Sequence, residues 1–210
     1  MATSLAKENI LNRIREALIN PVPLPFPQSE GNDSVYVLST EEPVVVFAEE
    51  FTKLQGQFAF CIDEADFNLQ LHNLIIQRNW SKIYCIESEL QGNLQAINIT
   101  PYANLPSCDV AVTICEYLVA RTGTIVMSAA QQSGRTASVY APVHICVAYS
   151  SQLVNDVKDA LQFMKEKYAN NFPSFITFAS GPSRTADIEK TLVTGVHGPK
   201  EVFCFLIDSN

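Results

Sequence analysis

The sequence predicts an α/β protein whose mostly parallel sheet is covered by helices. Short apolar runs with the character of strands, FAFCID (58 to 63) and KIYCIES (82 to 88), flank a stretch with helical spacing of apolar residues, DFNLQLHNLIIQRNW (66 to 80). Strands that alternate with helices of this length are typical of parallel sheets. The runs AVTIC, TIVMS and HICVAYS, between residues 109 and 150, predict the centre of that sheet.

Helices are predicted both before and after these strands along the chain. Apolar residues of the segment 4 to 18 share one helical face. A second helix begins at a capping box formed by Ser39 and Glu42 and ends at Gly56. The segment 151 to 168 predicts a third helix, with lysines near its C-terminal end that complement the helix dipole.

A proline-rich connector divides the chain into two parts. Prolines occupy positions 21, 23, 25 and 27, which removes backbone donors and forces an extended conformation. We therefore expect an arm of residues 1–34, made of a helix and this connector, followed by a single domain of residues 35–210. The arm docks either on its own domain or on a neighbouring subunit, in which case the protein is a homo-oligomer.

The composition limits the compartment and the partners. Charged residues interrupt the apolar positions of the N-terminus, and no apolar run approaches the roughly 20 residues of a membrane span, so we expect a cytoplasmic protein without one. The net charge of -8 argues against a nucleic-acid partner, because such binding depends on basic side chains that neutralise phosphates. A local site for a small anion is compatible with this charge.

The cysteines predict a core role. Six are spread along the chain without C-x-x-C pairs, so we expect reduced, buried thiols and no metal or iron-sulfur site in this chain.

The strand FITFAS (175 to 180) leads into a polar loop with the features of an anion site. Ser183 or Thr185 would cap a short helix defined by Ile188 and Leu192, and its free amides beside Arg184 would attract an anion. We therefore assign the loop residues to ligand binding: Gly181, Ser183, Arg184 and Thr185. The alternative is an ordinary capped turn, which the acidic residues early in the helix favour.

The next loop places a histidine between two glycines. His197 stands between Gly195 and Gly198, where an imidazole serves either as an acid, a base or a hydrogen-bond donor, or as a structural group. In a regular parallel crossover, the loops before and after a helix lie at opposite edges of the sheet. His197 and Arg184 share a site only if the helix is oblique, the last strand is antiparallel, or a second subunit completes the pocket.

Two further glycine-containing loops are candidates for ligand contacts. Thr122, Gly123 and Thr124 form the first, and Gly134 with Arg135 forms the second. Small hydroxyl residues around glycine let a ligand approach the backbone. The alternative is a bulge followed by a surface loop. We expect His144 to belong to the core or to support a site.

These motifs together resemble the LUD-domain family, typified by lactate utilisation protein C. The resemblance depends on Thr122-Gly123-Thr124, the Gly134-Arg135 loop, PVHI (142 to 145) and, above all, GPSRTADIEKTLVTGVHGPKEV, and it runs from about residue 35 to the end. It implies a three-layer fold like that of the NagB/RpiA/CoA-transferase group, a cytoplasmic location and a part in oxidising L-lactate to pyruvate. Relatives of this kind often carry an acidic residue where this chain has Arg121.

The resemblance also implies partners. Relatives work with an iron-sulfur protein and a cysteine-rich protein, so any cluster would belong to a partner and this chain would carry no cofactor. We then expect a non-redox subunit that binds a small carboxylate or phosphate, or its partner subunits.

Two other functions stay open. The chain is alternatively an enzyme by itself, transforming acyl-CoA or sugar phosphates, with Glu116 or His197 as the catalytic candidate. The third hypothesis is an assembly or regulatory module that binds proteins through the proline-rich arm.

Overall fold

The computed structural model of the chain describes residues 5–19, 39–188 and 191–208. Its helices are α1 (Leu5–Ile19), α2 (Pro43–Lys53), α3 (Glu64–Arg78), α4 (Gln91–Ala96), α5 (Ala137–Tyr140) and α6 (Val157–Tyr168). Its strands are β1 (Gln57–Cys61), β2 (Ile83–Tyr84), β3 (Val110–Ile114), β4 (Tyr117–Val119), β5 (Thr124–Ser128), β6 (Val143–Tyr149), β7 (Leu153–Val154), β8 (Ile176–Ala179), β9 (Arg184–Ile188), β10 (Thr191–Thr194) and β11 (Glu201–Ile207).

The chain divides into two compact units, residues 1–37 and 38–210. Within the first, α1 buries none of its residues, so its apolar face is uncovered. The helix lies where its apolar periodicity predicted it, whereas the proline connector falls outside the described residues. In the described part of the chain, no helix has both the length and the apolar character needed to cross a membrane.

The second unit is built on a fully parallel sheet of five strands in the order β1-β11-β6-β3-β2. The middle pair, β11 and β6, is in register from Glu201↔Val143 to Ile207↔Tyr149. Both strands are apolar along nearly their whole length because the sheet is covered on both faces. The predicted α/β class with a mostly parallel sheet is confirmed.

Two apolar cores cover the faces of this sheet. Helices α3 and α4 pack on one face, where Phe67 and Leu94 meet Phe205. On the other face, Phe47 of α2 and Ile125 of β5 pack against Leu206. A second sheet, of mixed strand directions, has the order β7-β4-β5-β8. Helix α6 packs on the face of this second sheet that points away from the central sheet. The prediction that TIVMS lies in the central sheet is therefore wrong, because β5 belongs to the second sheet.

Two helix starts differ from the predicted ones. Helix α2 begins at Pro43 after Glu42, and the Ser39 hydroxyl accepts a hydrogen bond from the Glu41 amide at 3.1 Å, so the predicted capping box does not form. Helix α6 begins at Val157 and not at residue 151. Asp156 caps it reciprocally with Asp159.

The short helix predicted between Ser183 and Leu192 is wrong. The backbone forms an antiparallel hairpin of β9 and β10, with Thr194 opposite Arg184 and Val193 opposite Thr185. The segment is rich in Thr and Val, whose branched Cβ favours extended backbone, and this preference outweighs the i, i+4 spacing of its two larger apolar residues.

Candidate functional site

The two glycine-proline loops, which flank the hairpin, lie against each other. The Ser183 amide donates to the Pro199 carbonyl at 2.9 Å, and the Gly195 amide donates to the Ser183 carbonyl at 2.9 Å. Because an antiparallel hairpin returns the chain to its starting point, it joins loops that a helix would have separated. Residues 181–185 and 195–199 therefore form one surface.

A cavity of about 480 Å³ opens beside the second of these loops. It is lined by Val139, Tyr140, Ala141, Pro142, Gly195, Val196, His197, Gly198 and Lys200. Pro142 and Lys200 directly precede the adjacent parallel strands β6 and β11, and the Lys200 amide donates to the Pro142 carbonyl at 2.8 Å. The cavity, here called the amino-edge cavity, thus lies at the amino end of the central sheet.

The chemistry of the amino-edge cavity suits an anion. Lys200 supplies an ammonium group, His197 an imidazole and Tyr140 a phenolic hydroxyl, and all three residues are exposed. None of its lining residues is acidic. A small anion would therefore meet donors and a positive charge without a competing carboxylate.

Arg184 does not reach the cavity in this structure. Its guanidinium donates to the Leu54 carbonyl at the end of α2, where a cation also complements the helix dipole. Gly181 lies against the same carbonyl with φ of 82°, and a Cβ there would overlap it. The predicted anion site at a helix N-terminus is wrong, because β9 replaces that helix, and Arg184 instead ties the hairpin to α2.

The Thr122-Gly123-Thr124 loop also contacts the protein's own backbone. Gly123 has φ of 53°, and a Cβ would overlap the α2 backbone at Phe51. The Thr124 hydroxyl lies 2.8 Å from that of Thr122 and 2.7 Å from that of Ser180. These contacts join α2, β5 and the segment after β8.

The second predicted glycine loop is separate from the amino-edge cavity. Arg135 donates to the Ser174 hydroxyl at 2.7 Å, and its guanidinium lies 5.4 Å from the centre of the Phe175 ring. Gly134 has φ of 61° and faces open space. Arg121, at the position before Thr-Gly-Thr, pairs with Asp156 at 2.7 Å and so contacts the cap of α6.

Glu116, a catalytic candidate, lies at the opposite edge of the sheet from His197. It follows β3 and is buried, with its side chain 1% exposed. Its carboxylate accepts hydrogen bonds from Ser128 Oγ at 2.5 Å, Tyr168 Oη at 2.7 Å and Lys167 Nζ at 2.9 Å. Burial alone would raise the pKa of Glu116, but these three donors outweigh burial and lower it. The group is held ionised, which suits positioning of its neighbours more than proton exchange near neutral pH.

A second cavity of about 260 Å³ contains Glu116 and is here called the carboxyl-edge cavity. It is lined by Glu87, Ser88, Glu89, Ile114, Cys115, Glu116, Ala130, Gln131, Gln132, Lys167 and Tyr168. Glu87 and Glu116 come after the neighbouring parallel strands β2 and β3, at the edge where ligands bind in open α/β sheets. Sequence reasoning missed Glu87, Lys167 and Tyr168. The available signal was an acidic residue soon after each of two apolar strands.

His144 and the cysteines belong to the core. His144 is 1% exposed, its Nε2 lies 2.9 Å from the Thr113 hydroxyl, and burial lowers its pKa to about 4. All six cysteines are buried with free thiols, as expected. Burial raises the pKa of Cys85 to about 11 and of Cys61 to about 12, so neither thiol is activated. Over residues 5–19, 39–188 and 191–208, no group of three or more His, Cys, Asp or Glu could hold a metal ion.

Comparison with protein families matches the LUD domain over residues 91–207, more than half of the chain. An uncharacterized protein of Neisseria meningitidis is 37% identical over 89 residues, which cover 42% of this chain and 38% of that protein. "Lactate utilization protein C" of Bacillus licheniformis is 33% identical over 102 residues, covering 48% of this chain and 42% of the relative. The protein of the same name from Bacillus subtilis is 34% identical over 101 residues, which cover 47% of this chain and 42% of the relative. The matched segments thus span less than half the length of these relatives.

A solved structure has the same fold. The crystal structure of a DUF162 family protein from Deinococcus radiodurans superposes with a TM-score of 0.61 at 18% identity, covering 81% of this chain and 99% of that one.

Proposed function

The chain belongs to the LUD domain family, and from this premise we propose that it is a subunit of a cytoplasmic system that oxidises L-lactate to pyruvate. Its relatives named lactate utilization protein C support this assignment. In this proposal the chain binds a small carboxylate, lactate or pyruvate, and carries no electrons itself.

The electron acceptor belongs to other subunits. Conversion of lactate to pyruvate removes two electrons and two protons, which requires an electron acceptor. The cysteines of this chain are buried core thiols, with Cys115, Cys146 and Cys204 packed in one apolar cluster. We therefore assign the acceptor to iron-sulfur and cysteine-rich partner proteins, with this chain presenting or retaining the carboxylate.

The amino-edge cavity is the observation that carries the proposal. Lys200 and His197 face a space lined without carboxylates, in a protein whose net charge of -8 would otherwise repel an anion. Lys200 would pair with the ligand carboxylate, while His197 and Tyr140 would donate to the hydroxyl or keto oxygen.

Isothermal titration calorimetry of the purified chain with L-lactate and with pyruvate tests this assignment. We expect Lys200→Ala to weaken binding about tenfold, since a hydrogen bond to a charged group contributes on the order of 1.5 to 3 kcal/mol. We expect His197→Ala to weaken binding about fivefold, since a hydrogen bond to a neutral oxygen contributes on the order of 1 kcal/mol. Lys165→Ala, which removes an exposed lysine from the last turn of α6, is the matched control and should bind as the unmodified chain does.

Two results would oppose the proposal. Absence of binding by the unmodified chain would show that it has no site for lactate or pyruvate. Equal affinity of Lys200→Ala and Lys165→Ala would show that the ligand binds elsewhere.

A growth experiment tests the physiological role. Failure of the His197→Ala and Lys200→Ala variants to restore growth on L-lactate to a strain lacking this gene, with rescue by Lys165→Ala, would support that role.

The size of the amino-edge cavity favours one alternative. A space of about 480 Å³ exceeds the volume of a three-carbon acid, so a sugar phosphate or the phosphate end of an acyl-CoA would also fit. Thermal-shift measurements with CoA esters, sugar phosphates, lactate and pyruvate distinguish the two functions. Stabilisation by lactate or pyruvate alone would exclude this alternative, and stabilisation by a CoA ester or sugar phosphate alone would favour it.

A further inference from the structure

Among the charged groups that line the carboxyl-edge cavity, the Glu116 carboxylate is saturated with hydrogen bonds, whereas Lys167 and Glu87 have capacity for a ligand. Glu116 accepts three hydrogen bonds within the protein, so its carboxylate has little capacity for a ligand. It instead fixes Lys167, whose Nζ carries three donors and gives one of them to Glu116. The Lys167 side chain is 54% exposed and lines the cavity, so its remaining donors are available there.

Glu87 is the second group with capacity for a ligand. It is 1% exposed, and its Oε1 accepts one hydrogen bond, from the Ser133 amide at 3.1 Å. Within the described part of the chain it forms no ion pair. Burial of a carboxylate without a cation is unfavourable, since buried charges are ordinarily paired and fully hydrogen-bonded. A cation arriving in the cavity that Glu87 lines would offset this cost.

The charges of the lining select the kind of ligand. Three carboxylates, of Glu87, Glu89 and Glu116, face one ammonium group, so a simple monoanion is disfavoured and a group with positive charge is favoured. Lys167 nevertheless offers donors to an acceptor. A ligand with an ammonium group at one end and a carboxylate at the other satisfies both Glu87 and Lys167.

We propose that the carboxyl-edge cavity is a binding site for a small α-amino acid, whose ammonium group donates to Glu87 and whose carboxylate accepts from Lys167. A cavity of about 260 Å³ accommodates such a molecule. The site lies at the opposite edge of the central sheet from the amino-edge cavity, so the chain binds two chemically different ligands. This inference is independent of the lactate proposal.

L-Alanine and L-lactate form a matched pair of probes, because they share one shape and differ in an ammonium group against a hydroxyl. In calorimetric titrations of the full chain, we expect L-alanine to bind and Glu87→Gln to weaken that binding at least tenfold. Glutamine keeps the side-chain oxygen that accepts from the Ser133 amide, and it replaces the second, charged acceptor by an uncharged NH2 donor. Glu166→Gln, on the exposed side of α6, is the control and should leave L-alanine binding unchanged.

The Glu87→Gln variant should bind L-lactate as the unmodified chain does, because lactate occupies the other edge. If Glu87→Gln does not fold, as judged by its melting transition, Lys167→Gln tests the contact with the carboxylate of L-alanine instead. This variant should also lose at least tenfold in affinity for L-alanine. No heat of binding with L-alanine, or equal affinity in the unmodified chain and the folded variant, would overturn the inference. Neither of those results would affect lactate binding at the amino-edge cavity.

Discussion

Gly123 and Gly134 both have a left-handed backbone, yet their surroundings make one indispensable and the other replaceable. A Cβ on Gly123 would overlap the backbone of α2, whereas a Cβ on Gly134 meets no atom within 4 Å. The sequence predicted a ligand role for both. The structure gives Gly123 a packing role, in which the absent side chain lets the end of the 3₁₀ turn Ala120–Thr122 approach α2 closely.

We predict that Gly123→Ala destabilises the protein by more than about 3 kcal/mol, since it adds a clash with backbone to the cost of a left-handed dihedral. Gly134→Ala, its matched control, should cost only about 1 kcal/mol from the dihedral alone. Urea denaturation of both variants measures the difference. Equal losses would show that the contact with α2 has no energetic role.

His144 makes stability depend on pH. Burial lowers its pKa from the ordinary value of 6.5 to about 4, so the unfolded chain takes up a proton more readily than the folded protein. Its contribution is constant above pH 6.5 and falls as the pH drops from 6.5 towards 4. We expect the titration of His144 to lower the free energy of unfolding by about 2 kcal/mol between pH 7.5 and pH 5.0.

The His144→Gln variant isolates this effect, because its amide nitrogen can still meet the Thr113 hydroxyl but does not titrate in this range. Urea unfolding at pH 7.5 and 5.0 should show a smaller loss for the variant than for the unmodified chain. The same loss in both would mean that other groups cause the acid sensitivity.

Residue type alone was sufficient to predict some of these roles. Cysteines inside apolar runs and a histidine at the start of an apolar strand are most easily explained as core residues, and they are buried. The role of Glu87 could not be predicted in this way, because it depends on the adjacency of β2 and β3 and on which side chains cover their ends.

At the scale of elements, an ion pair between buried Glu116 and half-exposed Lys167 connects the end of α6 to the start of the second sheet. Glu116 lies between β3 and β4, and it binds Lys167 and Tyr168 at the end of α6. The pKa of Lys167 would be lowered by burial, but the Glu116 carboxylate outweighs this and raises it. These charged and hydrogen-bonded groups add to the apolar contacts of α6 with the sheet, and sequence periodicity could not reveal them.

We predict that Glu116→Gln destabilises the protein by about 2 kcal/mol, because Lys167 loses its partner and two hydroxyls lose a charged acceptor. Glu166→Gln changes an exposed side chain that accepts a hydrogen bond from Gln162, and it should lower the free energy of unfolding by less than about 0.5 kcal/mol. Thermal unfolding of the two variants compares them directly. A melting temperature of Glu116→Gln equal to that of Glu166→Gln would contradict the predicted role of the pair.

The elements themselves were predictable to different degrees. Long amphipathic stretches such as α3 and continuous apolar runs such as β6 were recognised because burial of a face imposes a period on the sequence. The spacing of apolar residues predicted a helix where β9 and β10 form a hairpin, since a short segment contains too few apolar residues to define a period. Its β-branched content was the better guide.

At the scale of the whole molecule, the parallel sheet separates the two cavities. His197 lies near the amino ends of β6 and β11, and Glu116 follows the carboxyl end of β3. The two catalytic candidates therefore belong to different sites. Their separation follows from strand direction, which the alternating pattern predicted, whereas the convergence of the two glycine-proline loops required the hairpin.

We predict that the domain is stable without the arm, because the unit of residues 38–210 contains the apolar clusters described above and α1 buries no side chain. A chain that lacks residues 1–34 should keep its melting temperature within about 3 °C, since loss of the exposed side chains of α1 changes stability little. A larger drop would show that the arm contributes to the fold. Loss of partner capture or of oligomeric mass on truncation, at constant melting temperature, would support an assembly role for the arm.

The central claim is that a small carboxylate binds at the amino edge of the sheet, and titration of the isotope-labelled chain with L-lactate, followed by amide chemical shifts in NMR, tests it most directly. We predict saturable shifts at Gly195, Val196, His197 and Gly198 that Lys200→Ala suppresses. Shifts confined to the carboxyl-edge cavity, or no shifts at all, would contradict the account.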